Sequence, residues 1–271
     1  MSTTMLTRLV TAFIFLALVP ATAVRAADPW RDPPGYTDLA DLVLESPLIL
    51  RVMVGKTSRL SSRLAPDVPA GDERLLVEGR VLGVLKADGL LPEAAEWLWQ
   101  GPRGALVMKG REFLLFARAG PGGKPGRLVQ LQLVRRTAQL PWTQPLDARV
   151  RAILAEAARG VPRLVAVRSG FHVPGAVAGE SESQIFLDMA DGAPVTLVVL
   201  RRPGEAVAVR VATGDLIDES AAPVIRETLL WRTLACDLPA RPPASLGTDA
   251  GLLADYTVVR EALGACGRSA P

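Results

Sequence analysis

Residues 111–136, "REFLLFARAGPGGKPGRLVQLQLVRR", contain two apolar runs joined by a segment rich in glycine and proline. The run "REFLLFAR" (111–118) is typical of a buried strand. In "RLVQLQLVRR" (127–136) polar and apolar residues alternate, which is the pattern of a half-buried strand. The segment "GPGGKPG" (120–126) supplies the residues of a hairpin-type turn. The stretch therefore predicts two consecutive strands of an antiparallel β-structure.

Three more strands and two helices are expected around this hairpin. The strands are predicted in "LILRVMVGKTSRL" (48–60), "RLLVEGRVLGVLK" (74–86) and "AAEWLWQGP" (94–102), and the helices in "YTDLADLVLE" (36–45) and "QLPWTQPLDARVRAILAEAARG" (139–160). Five short strands with flanking helices favour a small barrel of the OB type. The first domain is therefore predicted to span residues 34–160.

Residues 161–271 have a different sequence pattern, in which short β-type runs are separated by residues typical of turns. Asp191 and Gly192 predict the turn of a two-strand hairpin. The segment "RETLLWRTLAC" (226–236) fits a strand or a helix, and the alternation of Leu229, Trp231 and Thr233 favours the strand. The segment "TDAGLLADYTVVREALGAC" (248–266) predicts a helix. We expect a small α+β domain, an antiparallel sheet with a C-terminal helix, so that the whole chain is mainly β with flanking helices.

The N-terminal segment predicts export. Arg8 precedes an uncharged run of eleven residues, 9–19, and small residues then offer cleavage after Ala23 or Ala26, of which we prefer Ala26. Eleven residues are too few for a transmembrane helix, which needs about 20. Residues 1–26 are therefore predicted to be a signal peptide, and the mature chain is expected to be periplasmic or secreted, with no membrane span.

The charge balance argues against a nucleic-acid partner. Residues 1–26 contain two arginines and no acidic residue, so removing them from 31 basic and 28 acidic side chains leaves a net charge of +1. The arginines of the mature chain do not form a block that would follow a phosphate backbone. We expect the partner to be an unknown protein or small ligand in the periplasm.

The two cysteines, Cys236 and Cys266, predict a disulfide. An even number of cysteines in an exported chain favours pairing, whereas a redox pair usually has C-x-x-C spacing. A metal site needs more ligands than these two cysteines and the single histidine, His172, provide. We therefore expect neither a metal nor a cofactor.

Three groups of polar residues have side chains of the types found in catalytic or metal sites. His172 has no evident partner near it in the sequence and is expected to be a strand residue. Glu180 and Glu182 have the i, i+2 spacing of an acid–base pair, but their glycine-rich surroundings favour exposed loop carboxylates. The acidic residues of "TGDLIDES" (213–220) lack the spacing of a calcium loop. No catalytic residue is predicted.

Three tryptophans are the best candidates for ligand contact. Trp97 and Trp99 share one face of a predicted strand, and Trp142 precedes the helix that closes the first domain. Aromatic rings in an OB groove can stack on sugars or bases. Two alternatives remain open, namely packing in the barrel core or between the domains, and a surface that docks a protein.

The first half also resembles the netrin-like module, the OB-fold of tissue inhibitors of metalloproteinases. The resemblance lies in residues 36–158 and is carried by the strand at 48–54, by Val84, Leu85 and Lys86, by Gly110, Glu112, Phe113, Leu114 and Phe116, and by Pro141 and Trp142. It implies the fold. Metalloproteinase inhibition is not implied, because the family's zinc-chelating N-terminal cysteine and its disulfides have no counterpart in this region. The whole chain also resembles uncharacterised exported bacterial proteins, which implies no activity.

These observations together favour an exported, non-enzymatic binding or interaction protein of the bacterial envelope, with an unknown ligand. The alternative is an envelope hydrolase that uses Glu180 and Glu182 as its carboxylates. A buried cleft that gathers these glutamates with Asp188 would favour the hydrolase, and dispersed, solvated carboxylates would favour binding.

Overall fold

The structure, a computed structural model, describes residues 33–87, 89, 92–104, 108–120, 128–214 and 221–269. The first half contains α1 (Tyr36–Glu45), β1 (Leu48–Arg59), β2 (Asp72–Lys86), β3 (Ala94–Pro102), β4 (Glu112–Ala119), β5 (Leu128–Leu133), β6 (Gln139–Pro141) and α2 (Gln144–Ala157). The second half contains β7 (Leu164–Pro174), β8 (Ser181–Met189), β9 (Val195–Arg201), β10 (Ala208–Ala212), β11 (Ala222–Pro223), α3 (Leu229–Asp237), a 3₁₀ turn (Ala244–Leu246) and α4 (Ala250–Leu263).

Strands β1 to β5 close into a barrel. Their order is β1-β2-β3-β5-β4, and β4 pairs back onto β1. All of these pairings are antiparallel except that of β3 with β5, which is parallel. The short β6 adds to the barrel through β4. The prediction of a five-stranded OB-like barrel is confirmed.

Alternating side chains fill the barrel, as the period of a strand requires. The inward positions are apolar and include Val52, Val77, Trp97, Trp99, Phe113 and Val129. Full burial of a large apolar side chain contributes about 1.5–3 kcal/mol. Two glycines make room for the indole rings. A Cβ at Gly101 would lie 2.5 Å from the ring of Trp99, and a Cβ at Gly79 would lie 3.1 Å from the ring of Trp97.

The second half is an antiparallel sheet of five strands in the order β11-β10-β9-β8-β7. Its predicted hairpin is present, with Gly192 at φ 75° between β8 and β9. Helix α4 packs on the sheet through a buried face that contains Leu252, Tyr256, Val259 and Leu263. The expected α+β arrangement with a C-terminal helix is confirmed.

The segment that we expected to be a strand, residues 226–236, forms helix α3, so that prediction is wrong. Thr228 caps the helix by accepting a hydrogen bond from the Trp231 amide at 3.1 Å. The amide of Leu229 donates to Glu156 of α2 at 2.7 Å, so a distant side chain also supports the first turn. A tertiary contact thus favours the helix, although the alternation in the local sequence favoured a strand.

One hydrophobic cluster joins the two halves of the chain. It contains buried residues of α1 and α2, of the inner face of the second sheet, and of α3 and α4. The predicted division at residue 160 therefore runs through a shared core.

The disulfide between Cys236 and Cys266 is present, with the two Cα atoms 4.8 Å apart. It joins the end of α3 to the segment after α4, and that segment contacts α1. The Thr37 hydroxyl donates to the Cys266 carbonyl at 2.5 Å, and the Ser269 amide donates to Asp38 at 2.9 Å. Among the described residues, none of the helices has the length and apolar character needed to cross a membrane.

Candidate functional site

The barrel carries a groove on its outer surface, where β3 and β5 separate. The two strands pair only from Ala94 with Leu128 to Trp97 with Leu131. Beyond that point β5 pairs with β4 through Leu133 and Ala117. The divergence leaves a concavity of about 660 Å³ beside β2, β3 and β5.

The groove combines an apolar centre with polar surroundings. Leu76 of β2 and Leu98 of β3 are direct cross-strand neighbours, and Leu98 is 49% exposed. The other outward-facing strand residues that line the groove are polar, namely Arg74, Glu96, Gln100, Gln130 and Gln132. An exposed leucine bounded by arginine and glutamine side chains is a surface suited to recognition.

Hydrogen bonds hold the polar side chains of the groove in place. Arg74 donates to the Gln100 side-chain oxygen from Nη2 at 2.6 Å and to Asp67 at 2.7 and 3.0 Å. Gln130 donates from Nε2 to Glu96 at 2.7 Å. These contacts already order the side chains, so less side-chain conformational entropy would be lost when a ligand binds.

One end of the groove carries arginines. Arg135 and Arg136 follow β5 and line the groove together with Arg74, which pairs with Asp67, and Glu96 is the only acidic residue among the described residues of the lining. Arg135 forms an ion pair with Glu45 of α1. Arg136 lies 3.2 Å from Asp72, and 65% of its side chain is exposed. Each of the three arginines therefore pairs with a carboxylate outside the lining, and Arg136, with one contact and a largely exposed side chain, is the arginine that an acidic ligand group can approach.

The three tryptophans do not form an exposed platform. Trp97 and Trp99 are only 1% and 4% exposed, because the barrel-facing positions of β3 are 95, 97, 99 and 101, whereas Leu98 and its even-numbered neighbours point outward. Trp97 donates from Nε1 to Gln139 at 2.7 Å. Both residues contribute to the groove lining, but their rings belong to the barrel core.

Trp142 lies at a separate place. The guanidinium of Arg51 stacks 3.6 Å above its ring, and its Nε1 donates to Asp147 at 3.2 Å. The ring is thus enclosed by a cation–π contact and a hydrogen bond. Trp97 and Trp99, the residues predicted to contact a ligand, thus lie on the inward face of β3, whereas Leu98 lies on its outward face.

His172 belongs to a buried polar network that sequence proximity did not reveal. Its Nδ1 lies 2.9 Å from the Ser183 hydroxyl and 3.4 Å from Asp255 of α4. Ser183 donates to Asp255 at 2.6 Å, and Arg201 donates to the other Asp255 oxygen at 2.5 and 2.9 Å. Asp255 is 72 positions from Ser183, so only the tertiary fold brings these residues together.

The network has the residue types of a hydrolase triad but not its geometry. In a triad the acid and the serine contact opposite nitrogens of the imidazole. Here both contact Nδ1. Because Ser183 donates to Asp255, we assign the Nδ1 proton to His172 as the donor to Ser183. Ser183 and Asp255 are 0% and 1% exposed, so a substrate would not reach them. The network ties the second sheet to α4.

Replacing His172 with alanine is expected to lower the free energy of unfolding by about 1–2 kcal/mol, because Ser183 loses its hydrogen-bond donor and the ring leaves a void against Gly251. Urea unfolding followed by tryptophan fluorescence measures the effect. Val173→Ala is the matched control on the same strand, with an expected change within about 0.5 kcal/mol, because Val173 is exposed. Equal stability of the two variants would contradict the structural role.

The carboxylates of the hydrolase hypothesis are dispersed. Glu180 and Glu182 line a shallow cavity of about 400 Å³, and Glu182 accepts a hydrogen bond from Gln184 at 2.7 Å. Asp188 lies six residues further along β8 and contacts Arg168 at 3.7 Å. The structure does not gather the three acids in one cleft.

The acidic residues of 215–220 lie outside the described residues, and the described residues contain no cluster of metal-ligating side chains.

A comparison of the chain with protein-family models finds no match, and a search of curated proteins finds no significant match. The groove, with the strand pairing that produces it, is therefore the candidate site of the described residues. The resemblance to the netrin-like module stays a prediction.

Proposed function

We propose that the protein is an exported, non-enzymatic binding or interaction protein of the bacterial envelope, and that the groove beside β2, β3 and β5 holds its ligand. The groove itself is the observation that carries the proposal. It lies on the barrel face that OB-folds use for binding, and it presents an exposed leucine next to ordered polar groups.

The chemistry of the groove supports binding rather than catalysis. The described lining side chains are guanidinium, amide, aliphatic and indole groups and one carboxylate, that of Glu96, which accepts a hydrogen bond from Gln130. The alternative, a hydrolase using Glu180 and Glu182, has less support. Those carboxylates lie in a shallow cavity on the second sheet, and Asp188 is at the other end of β8.

Export is supported by two observations. The N-terminal sequence has the charged, apolar and small-residue regions of a signal peptide ending at Ala26. The disulfide Cys236–Cys266 suits the oxidising periplasm or an extracellular location. The partner is therefore expected to be a periplasmic or secreted protein or a small ligand.

Site-specific photo-crosslinking in intact Gram-negative cells tests this proposal. A photoreactive benzoylphenylalanine in place of Leu98 is expected to give a crosslinked adduct on the mature, signal-free chain. The same residue in place of Leu64 is the matched control, because Leu64 is 71% exposed but does not line the groove. Adducts at both positions alike, or at neither, would contradict a binding role for the groove.

A further inference from the structure

We propose that the groove binds an extended peptide segment, which adds as a strand to the groove-facing edge of β3 and places an acidic side chain near Arg135 and Arg136. This inference rests on the proposed function, and it adds the class of ligand. Strand addition uses main-chain hydrogen bonds for affinity and side-chain contacts for specificity.

The hydrogen bonds at the two ends of the β2–β3 ladder show which backbone groups face the groove. Val81 donates to the Glu93 carbonyl at 2.9 Å, and Arg103 donates to the Gly71 carbonyl at 2.8 Å. Hydrogen-bonded pairs alternate in an antiparallel ladder, so the odd-numbered residues of β3 bond to β2. The N–H and C=O groups of Gln100 therefore point away from β2, toward the groove.

No described strand pairs with β3 beyond Trp97 on that side. At this level β5 has already moved to β4, where Gln132 pairs with Arg118 and Leu133 pairs with Ala117. Gln100 lies beyond the end of the parallel β3–β5 ladder, so its backbone faces the groove instead of β5. An extended segment entering the groove would continue that ladder.

The side chains around this edge favour a peptide with both apolar and acidic residues. Leu76 and Leu98 supply an apolar surface for one side chain of the added strand. The lining arginines all pair with carboxylates, but Arg136 is largely exposed and has a single 3.2 Å contact to Asp72, so it is the group that an acidic side chain of the occupant would contact. A glycan would be expected to stack on exposed aromatic rings, but Trp97 and Trp99 are buried in the barrel.

Phage display of random peptides of about twelve residues against the mature protein provides the probe. We expect enrichment of sequences that pair Asp or Glu with Val, Ile, Leu or Phe. One enriched peptide is then synthesised with a fluorophore, and its affinity is measured by fluorescence anisotropy. A selection without enrichment, or one that enriches basic peptides, would overturn the inference.

Two substitutions of Gln100 separate strand addition from side-chain contact. Gln100→Pro removes the amide hydrogen that faces the groove and leaves the β2 ladder intact, so we expect binding to weaken at least about tenfold. Gln100→Ala keeps the amide and removes only the side chain that contacts Arg74, and it is expected to bind within about threefold of the wild type. Equal effects of the two substitutions would overturn strand addition.

A charge reversal tests the acidic end of the peptide. Arg136→Glu is expected to weaken binding at least about tenfold, while Arg80→Glu, at an exposed position of β2 outside the groove, is expected to leave it unchanged. If Gln100→Pro does not fold, a peptide N-methylated at alternate amides removes the same hydrogen bonds from the ligand side. Retained affinity of that peptide would overturn the inference.

The two proposals fail in different ways. A crosslink at position 98 to a partner, combined with a failed peptide selection or an adduct carrying a glycan mass, would overturn the extended peptide and keep the binding groove. Loss of the crosslink would remove the proposed function itself.

Discussion

Replacing Asp41 with alanine is expected to lower the free energy of unfolding by about 3–5 kcal/mol, because it leaves a buried cation without its partner. Asp41 of α1 accepts hydrogen bonds from Arg232 of α3 and Arg268 of the C-terminal segment, each from Nε at 2.8 Å. Only 15% of the Arg232 side chain is exposed. These contacts bind the first helix to the end of the chain in the wall of a charged cleft of about 1210 Å³. Urea unfolding measures the loss.

A matched control is available on the same helix. Glu45 forms an ion pair with Arg135, but both side chains are exposed, so Glu45→Ala is expected to cost less than about 1 kcal/mol. Similar losses in the two variants would show that the Asp41 cluster is no stronger than a surface pair.

The cluster of Asp41 with Arg232 and Arg268 also makes the free energy of unfolding depend on pH in the acidic range. Burial raises the pKa of Asp41, but hydrogen bonds and charge from Arg268 and Arg232 outweigh that effect, and the pKa lies below its ordinary value. A carboxylate with a lowered pKa in the folded state stabilises the protein above about pH 4, and that contribution is lost as the pH falls further. The acid-induced loss of stability is expected to be smaller in Asp41→Ala than in the wild type.

Removing the disulfide is expected to lower the free energy of unfolding by about 2–4 kcal/mol. Cys236 and Cys266 close a loop of 30 residues, and the bond restricts the unfolded chain. In the folded state it also holds the segment that contacts Thr37 and Asp38 of α1. Urea unfolding of the double variant Cys236→Ser/Cys266→Ser, compared with the wild type, gives the magnitude.

The double variant also provides the control for reduction. A thiol reductant is expected to lower the unfolding midpoint of the wild type to that of the variant and to leave the variant unchanged. If the unfolding midpoint of the wild type stays unchanged although its two thiols are shown to be reduced, the bond does not contribute to stability. Hydrogen exchange of α1 should increase in the variant, because the C-terminal segment is no longer held against it.

Much of the local structure could be predicted from residue patterns. The hairpin stretch at 111–136 predicted β4 and β5, and the helix after Asp249 was found from its cap and from the apolar face of Leu252, Tyr256, Val259 and Leu263. These strands and this helix depend on residues that are close together in the sequence, so local residue patterns are enough to predict them. Helix α3 was missed because its first turn is completed by Glu156, which lies 73 positions from Leu229.

Less of the candidate site could be predicted from the sequence. The tryptophans of β3 were predicted to contact a ligand because they are aromatic. The two-residue period of a strand, however, allows either of its faces to point inward. Which face of β3 fills the barrel depends on the closure of β1 on β4 and of β3 on β5. Likewise, the partners of His172 come from a neighbouring strand and from α4, 83 positions away at Asp255.

The sequence by itself determined the type and order of most elements, the turn in the second sheet and the pairing of the two cysteines, because these follow from short-range periodicity, capping and residue counts. Tertiary structure decided the groove, the burial of Trp97 and Trp99, and the two buried acid clusters at Asp41 and Asp255. Each of these requires strands or helices distant in the chain to meet, and the free energy of such contacts depends on the packing of the whole fold rather than on any local pattern.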